Sequence, residues 1–415
     1  MAIIRKFKAL RPKKGLEEKV ASYPYDVLNS EEARELVKDN PYSFLHVVKP
    51  EVDLPEGIDL YSEQVYNKAR ENFNKFVTEG TLIQEDSPKL YIYRQTRQFQ
   101  EQYGIVGCVS VDDYNNDVIK KHEHTRPKKE ADRIKHVDVT NANAGPIFLT
   151  FRAKKAIDGL VTRAVDNLPI YDFVAPDDIR HTVWIVEDDV IADEIIKEFA
   201  NIDYLYIADG HHRSASAAKV ANKRRAADPD YIGEEEYNFF LAVLFPDYQL
   251  NIMDYNRVLK DLHGHSDKEL FRALEDLFSV EKIGSSQYKP KQKGEIGMYF
   301  EKEWYKLTIK SEKMDANDPV KSLDISYVQD NLLSPLFGIE NPRTSEDIDF
   351  IGGIRGLDEL EKLVKSGKFQ VAFAMYPTSV EELINIADSG KVMPPKSTWF
   401  EPKLRSGLLV HSLSE

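Results

Sequence analysis
The chain has one cysteine, Cys108, in 415 residues. That excludes an internal disulfide and any zinc or iron–sulfur site built on cysteines. No apolar run reaches ~18 residues, so no membrane-spanning helix is expected. The start, MAIIRKFKALRPKKG, is too short in its apolar part and too broken by charge for a signal peptide. Positive charge is also in deficit. With 56 basic against 70 acidic residues the net charge is −14, which argues against nucleic acid as the main partner. There is no repeat, no low-complexity tract and no Pro/Gly/Ser linker. What is present is core-forming material: 42% hydrophobic residues, with 20 Phe and 21 Tyr, against 30% charged. That excludes disorder of the whole chain. A soluble cytoplasmic protein is expected, with two to four domains at roughly 100–200 residues each.

Helix and strand signals alternate along the chain. IIRKFKAL reads as a first strand. Val65, Ala69, Phe73 and Phe76 mark one face of a helix that Gly80 ends. LYIYRQT (90–96) and YGIVGCVSV (103–111) read as a hairpin with QFQEQ as its turn. A strand at 181–187, a helix from Val190 to Ile202 and a strand at 203–209 follow, the last running into an Ala-rich helix. NFFLAVLFP (238–246) and LNIMDYNRVL (250–259) read as adjacent antiparallel strands, 268–278 as a helix and 292–310 as a hairpin. After a strand at 369–377, a helix has Thr378 as N-cap and Gly390 past its end. The domain expectation is residues 1–85, 86–250 and 251–415.

Five of the ten histidines fall in two stretches. IKKHEHTRPKKEADRIKHV (119–137) holds seven Lys or Arg, three acids, His122, His124 and His136, and starts a helix after Pro127. Its plain reading is a solvated helix start. Its functional reading is an anion site enclosing Glu123, a carboxylate kept ionised by Lys120, Lys121 and Arg126 and able to take a hydroxyl proton. The second stretch is Asp209-Gly210-His211-His212-Arg213-Ser214. A strand ends at Asp209, Gly210 allows a tight turn, and a helix opens at once. Its first N–H groups suit an anion. Simple capping needs one Asp or Ser, not this set. Asp209 could hold Mg²⁺. Zinc on His122, His124, His211 and His212 is an alternative, opposed by the neighbouring cations. Walker, GxGxxG and GxSxG devices are absent.

Three further stretches are rich in turn and polar residues. One is Tyr23-Pro24-Tyr25-Asp26-Val27. The second runs from Asn341 to Gly353 and ends in a Gly pair. The third runs from Met393 to Lys403 and precedes Leu404-Arg405-Ser406-Gly407. Each reads plainly as a structured loop. Lys396, Ser397, Thr398 and Trp399 make the third the candidate substrate-closing loop.

The set YPYDV, KHEHTRP, IADGHHRSASA, NPRTSEDIDFIGG and MPPKSTWFEPKLRSG resembles a prokaryotic family catalogued as a domain of unknown function. The resemblance runs over nearly the whole chain. DGHHR is also similar to the phosphate-binding motif of the ParB and sulfiredoxin-like superfamily, in which free serine kinases carry a DGH-x-R motif and an upstream glutamate. The resemblance implies an α+β fold of mixed sheets with flanking helices, a ParB/sulfiredoxin-like core and added N- and C-terminal α/β elements. It implies phosphoryl transfer from pyrophosphate, with Mg²⁺, to free L-serine. Residue by residue it implies Glu123 and Asp209 as catalytic, with Asp209 near the metal. Gly210, His211, His212, Arg213, Ser214, Lys121, His122, His124 and Arg126 would meet phosphate. Lys396, Ser397, Thr398 and Trp399 would meet substrate. A homo-oligomer is compatible with this reading. The alternatives are an ATP- or ADP-dependent serine kinase, a ParB-like nucleotide-binding regulator and a metal-dependent hydrolase.

Overall fold
Strand-forming runs dominate both halves of the chain, and the computed structural model sorts them into four sheets. It describes residues 1–310, 314–315 and 317–414. The architecture is mixed α+β, as expected. The described chain divides into two units: residues 1–121, 125–250 and 402–415 in the first, residues 122–124 and 251–401 in the second.

The first unit is built on a nine-stranded sheet. Its order is Ile119–Lys120, Leu205–Asp209, Ile147–Phe151, Phe239–Pro246, Gln100–Ser110, Tyr91–Arg97, Arg180–Ile185 and Tyr171–Val174, with Ile4–Arg5 also paired to Gln100–Ser110. Most neighbours are antiparallel. Leu205–Asp209 is parallel to Ile119–Lys120, and Phe239–Pro246 is parallel to Ile147–Phe151. The middle strands read as continuous apolar runs because they are buried on both faces; Phe239–Pro246 is buried from its second residue onward. Helices Lys155–Ala164 and Asp189–Phe199 bury Ile157, Leu160, Ile195 and Phe199 against the sheet core of Ile105, Leu149, Phe151 and Leu244. Each such side chain contributes about 1.5–3 kcal/mol. A four-stranded sheet, in the order Leu82–Gln84, Ala9–Pro12, Val410–Ser412 and Ala142–Asn143, joins segments from both ends of the chain.

The second unit holds a six-stranded antiparallel sheet in the order Phe278–Gly284, Glu303–Ile309, Glu295–Phe300, Val371–Ala374, Tyr255–Leu259 and Ile348–Gly352. One face packs Leu270, Leu274, Met298 and Phe373, the other Trp304, Tyr299, Leu360 and Val258. A separate pair, Asn251–Met253 with Trp399–Glu401, brings the Trp399 loop back to the start of the unit.

Several local expectations are corrected. The hairpin near residue 100 turns at Gln98 and Phe99, with Gln98 at φ +54°, and Gln100–Ser110 already begins in the QFQEQ run. Gln102 is buried, and its Nε2 donates to Gln95 Oε1 at 2.8 Å across the ladder. Residues 238–246 and 250–259 are not strand partners. A 3-10 turn at Asp247–Gln249 separates them, and the later segment forms two short strands in the second unit. The first strand is likewise two, Ile4–Arg5 and Ala9–Pro12, in different sheets. Ser379, not Thr378, caps helix Val380–Asp388, through a capping box with Glu382. Thr378 instead donates to the Ser397 carbonyl at 3.0 Å.

Candidate functional site
Strand Leu205–Asp209 is apolar and buried up to its last residue, so Asp209 is where the chain emerges from the sheet. A register shift between Ile207 and Asp209 re-aims that end. Gly210 then takes φ +102°, and helix His211–Ala227 begins with no side-chain cap. A Cβ at Gly210 would stand 3.2 Å from the Arg213 guanidinium, so the turn requires glycine twice over, for its dihedral and for its space.

Arg213 turns back onto the strand it follows. Its Nη2 donates to Asp209 Oδ2 at 2.9 Å and its Nη1 donates to the Pro146 carbonyl, while Nε is buried with no partner. Lys403 Nζ approaches Asp209 Oδ1 at 3.7 Å. Asp209 therefore lies between two cations at the mouth of an uncapped helix. His212 Nε2 accepts the Arg126 N–H at 3.0 Å. Burial holds the His212 imidazole below its ordinary pKa against the pull of Asp26, in keeping with a neutral ring that accepts at Nε2. Arg126 is the N-cap residue of helix Pro127–Thr140, and its guanidinium makes no ion pair with the described residues. Glu130 ties this helix to the DGHHR helix through Lys219 and receives Thr125 Oγ1. Ser214 is fully buried. Its hydroxyl donates to carbonyls of its own helix turn, Gly210 and His211.

The basic run does not converge on one point. Lys120, Lys121 and Lys128 place their ammonium groups 4.3, 4.2 and 4.4 Å from the ring centres of Tyr204, Tyr114 and Tyr61. Lys121 also binds Asp117 at 2.5 Å and the Tyr114 carbonyl at 2.8 Å.

The C-terminal segment supplies residues that the sequence reading passed over. Arg405 is buried over the Tyr23 ring at 3.9 Å and donates to Asp177 at 2.5 Å. Its Nε meets His181 Nε2 at 3.2 Å, and His181 Nδ1 meets the Tyr93 hydroxyl at 2.7 Å. Ser406 exchanges backbone hydrogen bonds with Ser22 at 3.0 and 2.8 Å. These ties fix Lys403 beside Asp209. They also place Ser406 in a small open cleft lined by Tyr25, Arg133, His136, Asn143, Arg213 and Ser406 among others. The YPYD loop, the helix after KHEHTRP, the DGHHR motif and the KLRSG tail thus meet around one cleft.

The remaining sequence candidates belong to the second unit. His122 is buried, and its carbonyl accepts from Met393 N–H at 2.8 Å, joining the Glu123 stretch to the Trp399 loop. That loop is held at several points. Arg257, itself buried, donates to the Lys396 carbonyl at 3.1 Å, and Ser397 donates to the Pro394 carbonyl at 2.6 Å. Trp399 stands edge-on to Tyr255 at 5.2 Å and donates to Glu401 at 2.8 Å. Lys396 sits at φ +60°. The loop is thus a braced wall. Gly352 of the IDFIGG run packs against it, where a Cβ would meet Trp399 at 2.8 Å, while one at Gly353 would meet Asp254 at 2.5 Å. Among the described residues, no group of three or more His, Cys, Asp or Glu is arranged to hold a metal ion. No helix among them is long and apolar enough to cross a membrane.

Residues 4–326 match the family described as Protein of unknown function (DUF1015), and the chain belongs to that family. No curated protein matches it. Solved structures with some likeness include a conserved hypothetical protein from Pyrococcus furiosus, at 13% identity and TM-score 0.36, covering 76% of this chain and 97% of the other. A free serine kinase in complex with AMP aligns at 14% identity and TM-score 0.35, over 74% of this chain and 92% of its own. SbnI with a C-terminal truncation, from Staphylococcus aureus, aligns at 11% and 0.37, over 74% and 87%. Likeness at this level carries nothing across to the site.

Proposed function
We propose that the chain is a phosphotransferase that moves a phosphoryl group from inorganic pyrophosphate to the hydroxyl of free L-serine. The observation that carries this reading is the Asp209–Gly210 turn. It is an uncapped helix start with Arg213 and Lys403 gathered on one carboxylate. Helix N–H groups and flanking cations favour a small, highly charged anion. The donor choice follows from chemistry of that kind and from the lack of a Walker or GxGxxG loop. Phosphoryl transfer needs mainly positioning and charge stabilisation. In this reading Gly210, His211, His212, Arg213, Arg126 and Lys403 receive the donor. The serine oxygen forms the new O–P bond, the bridging P–O bond of pyrophosphate breaks, and inorganic phosphate leaves. The serine hydroxyl proton is assigned to Glu123 on motif resemblance, whereas Lys121, His122 and His124 are assigned to phosphate as members of the basic run, and the loop Lys396–Trp399 to substrate as a turn-rich polar stretch. Mg²⁺ would enter with pyrophosphate as part of that substrate. Asp209 offers it one carboxylate, already shared by Arg213 and Lys403.

The test is a donor panel. Purified protein, Mg²⁺ and L-serine are given pyrophosphate, ATP, ADP or CTP in turn, and O-phosphoserine is measured. Pyrophosphate is expected to give the highest kcat/KM. A better rate with ATP or ADP keeps the kinase and removes the pyrophosphate assignment. No phosphoserine from any donor removes both.

A further inference from the structure
The cleft beneath the DGHHR helix contains polar groups that the fold itself does not use. Arg133 is anchored on one side by Asp132, with Nε at 2.8 Å and Nη2 at 2.7 Å, and its guanidinium lies 4.1 Å from the Tyr25 ring centre. Its Nη1 has no hydrogen-bond partner among the described residues. The Tyr25 hydroxyl has none either, although the residue is largely enclosed. Ser406 is 2% exposed, and only its backbone is bonded. His136 donates from Nε2 to the Val47 carbonyl at 2.9 Å, which fixes its tautomer and leaves Nδ1 as an acceptor. Burial holds this imidazole down to about 4, so it is neutral near neutral pH. All four residues line the same cleft. A guanidinium edge, two hydroxyls and a neutral imidazole acceptor left open in one small cleft match a ligand that carries both a carboxylate and an ammonium.

We infer that this cleft is the amino-acid acceptor subsite, in which Arg133 and the Tyr25 hydroxyl receive the acceptor's α-carboxylate and His136 accepts from its α-ammonium. The inference rests on the phosphotransferase reading for what happens to the amino acid, but the binding claim stands separately. The placement suits transfer, because Arg213 lines the cleft and also bonds Asp209, so the acceptor's subsite adjoins the donor's. A planar guanidinium with one free edge recognises a carboxylate in a way that an ammonium would not.

The test compares the parent with Arg133→Gln and Tyr25→Phe, using L-serine and ethanolamine, which lacks the carboxylate. Calorimetry without donor reads binding, and phosphorylation reads KM and kcat. Arg133→Gln is expected to weaken L-serine about 10- to 100-fold. The KM for pyrophosphate and the rate on ethanolamine should stay unchanged, so the preference for serine over ethanolamine collapses. Tyr25→Phe keeps the ring under Arg133 and should give a smaller loss of the same kind. It serves as the second variant if Arg133→Gln fails to fold. L-serine binding that depends on Arg133, without phosphoserine from any donor, would keep the subsite and end the kinase reading. Phosphoserine formation with unchanged serine preference in both variants would end the subsite and keep the kinase. No L-serine binding to the parent would overturn the subsite outright.

Discussion

Gly210→Ala is the sharpest probe of the turn at the centre of the site. At φ +102° an L side chain is strained by about 1–2 kcal/mol. The new Cβ would also meet the Arg213 guanidinium at 3.2 Å. That group cannot simply swing away, because Pro146 holds one end and Asp209 the other. Displacing it loses a hydrogen bond between charged groups, about 1.5–3 kcal/mol. The summed expectation is a loss of about 2.5–5 kcal/mol. Gly80 provides the control. It also has positive φ, +71°, but its Cβ would have nothing within 4 Å, so Gly80→Ala should carry only the backbone strain of about 1–2 kcal/mol. Chemical denaturation of parent and both variants under identical conditions reads the difference. Calorimetric titration with Mg²⁺ and pyrophosphate reads the site, where Gly210→Ala should weaken binding by at least about tenfold and Gly80→Ala should not. Equal destabilisation by the two substitutions, together with unchanged pyrophosphate binding, would refute the account of Arg213 as a brace locked against the glycine.

Three further outcomes are expected. Glu123→Gln should leave pyrophosphate binding intact and lower turnover by roughly 10²–10⁴-fold, as loss of a general base does; turnover within a factor of two of the parent excludes that role. Lys403→Met should weaken pyrophosphate about tenfold or more while leaving the KM for L-serine near the parent's, because its ammonium faces Asp209 and not the amino-acid cleft; steady-state kinetics with each substrate varied separates the two. Asp324→Asn should stabilise the protein at high pH only. Burial pushes the Asp324 carboxyl up to about 6, so the folded state loses stability as pH rises from the unfolded value near 3.8 through 6. Asn keeps an acceptor for the Gly294 N–H and removes the penalty, a gain of up to about 3 kcal/mol at pH near 8 and none near 4; denaturation across that range that shows a pH-independent gain would contradict the assignment.

The parts legible in the sequence were those set by near neighbours in the chain. The apolar run ending at Asp209, the glycine and the Ala-rich segment predict a strand, turn and helix, and the structure has Leu205–Asp209, Gly210 at positive φ and His211–Ala227. The hairpin at 292–310 is likewise local, turning at Glu301 and Lys302. Long-range placement was not legible. Nothing near Val410–Ser412 signals that it lies between Ala9–Pro12 and Ala142–Asn143. Lys403 and Ser406 were quoted within a motif but had no local mark of their role. Arg133 was hidden in a charge run whose lysines mostly lie over tyrosine rings. The spacing of Arg133 and His136, three apart and hence on one helix face, was the available signal. The failed pairing of 238–246 with 250–259 has the same origin. Two apolar runs joined by a short turn look like a hairpin whether or not the chain changes sheets between them.

The return of residues 402–414 to the first unit also sets an order of assembly. On the ribosome, the segments that flank the missing strand, Ala9–Pro12 and Ala142–Asn143, emerge long before Val410–Ser412 does. Residues 251–401 are made in between. At about 5–20 residues per second the interval from Asn143 to Val410 is of the order of ten to fifty seconds. During that time the small sheet has open edges, the cleft lacks Ser406, and Asp209 lacks Lys403. A nascent chain of this kind presents unpaired strand backbone to its surroundings, the feature that invites pairing with other chains and capture by holding chaperones.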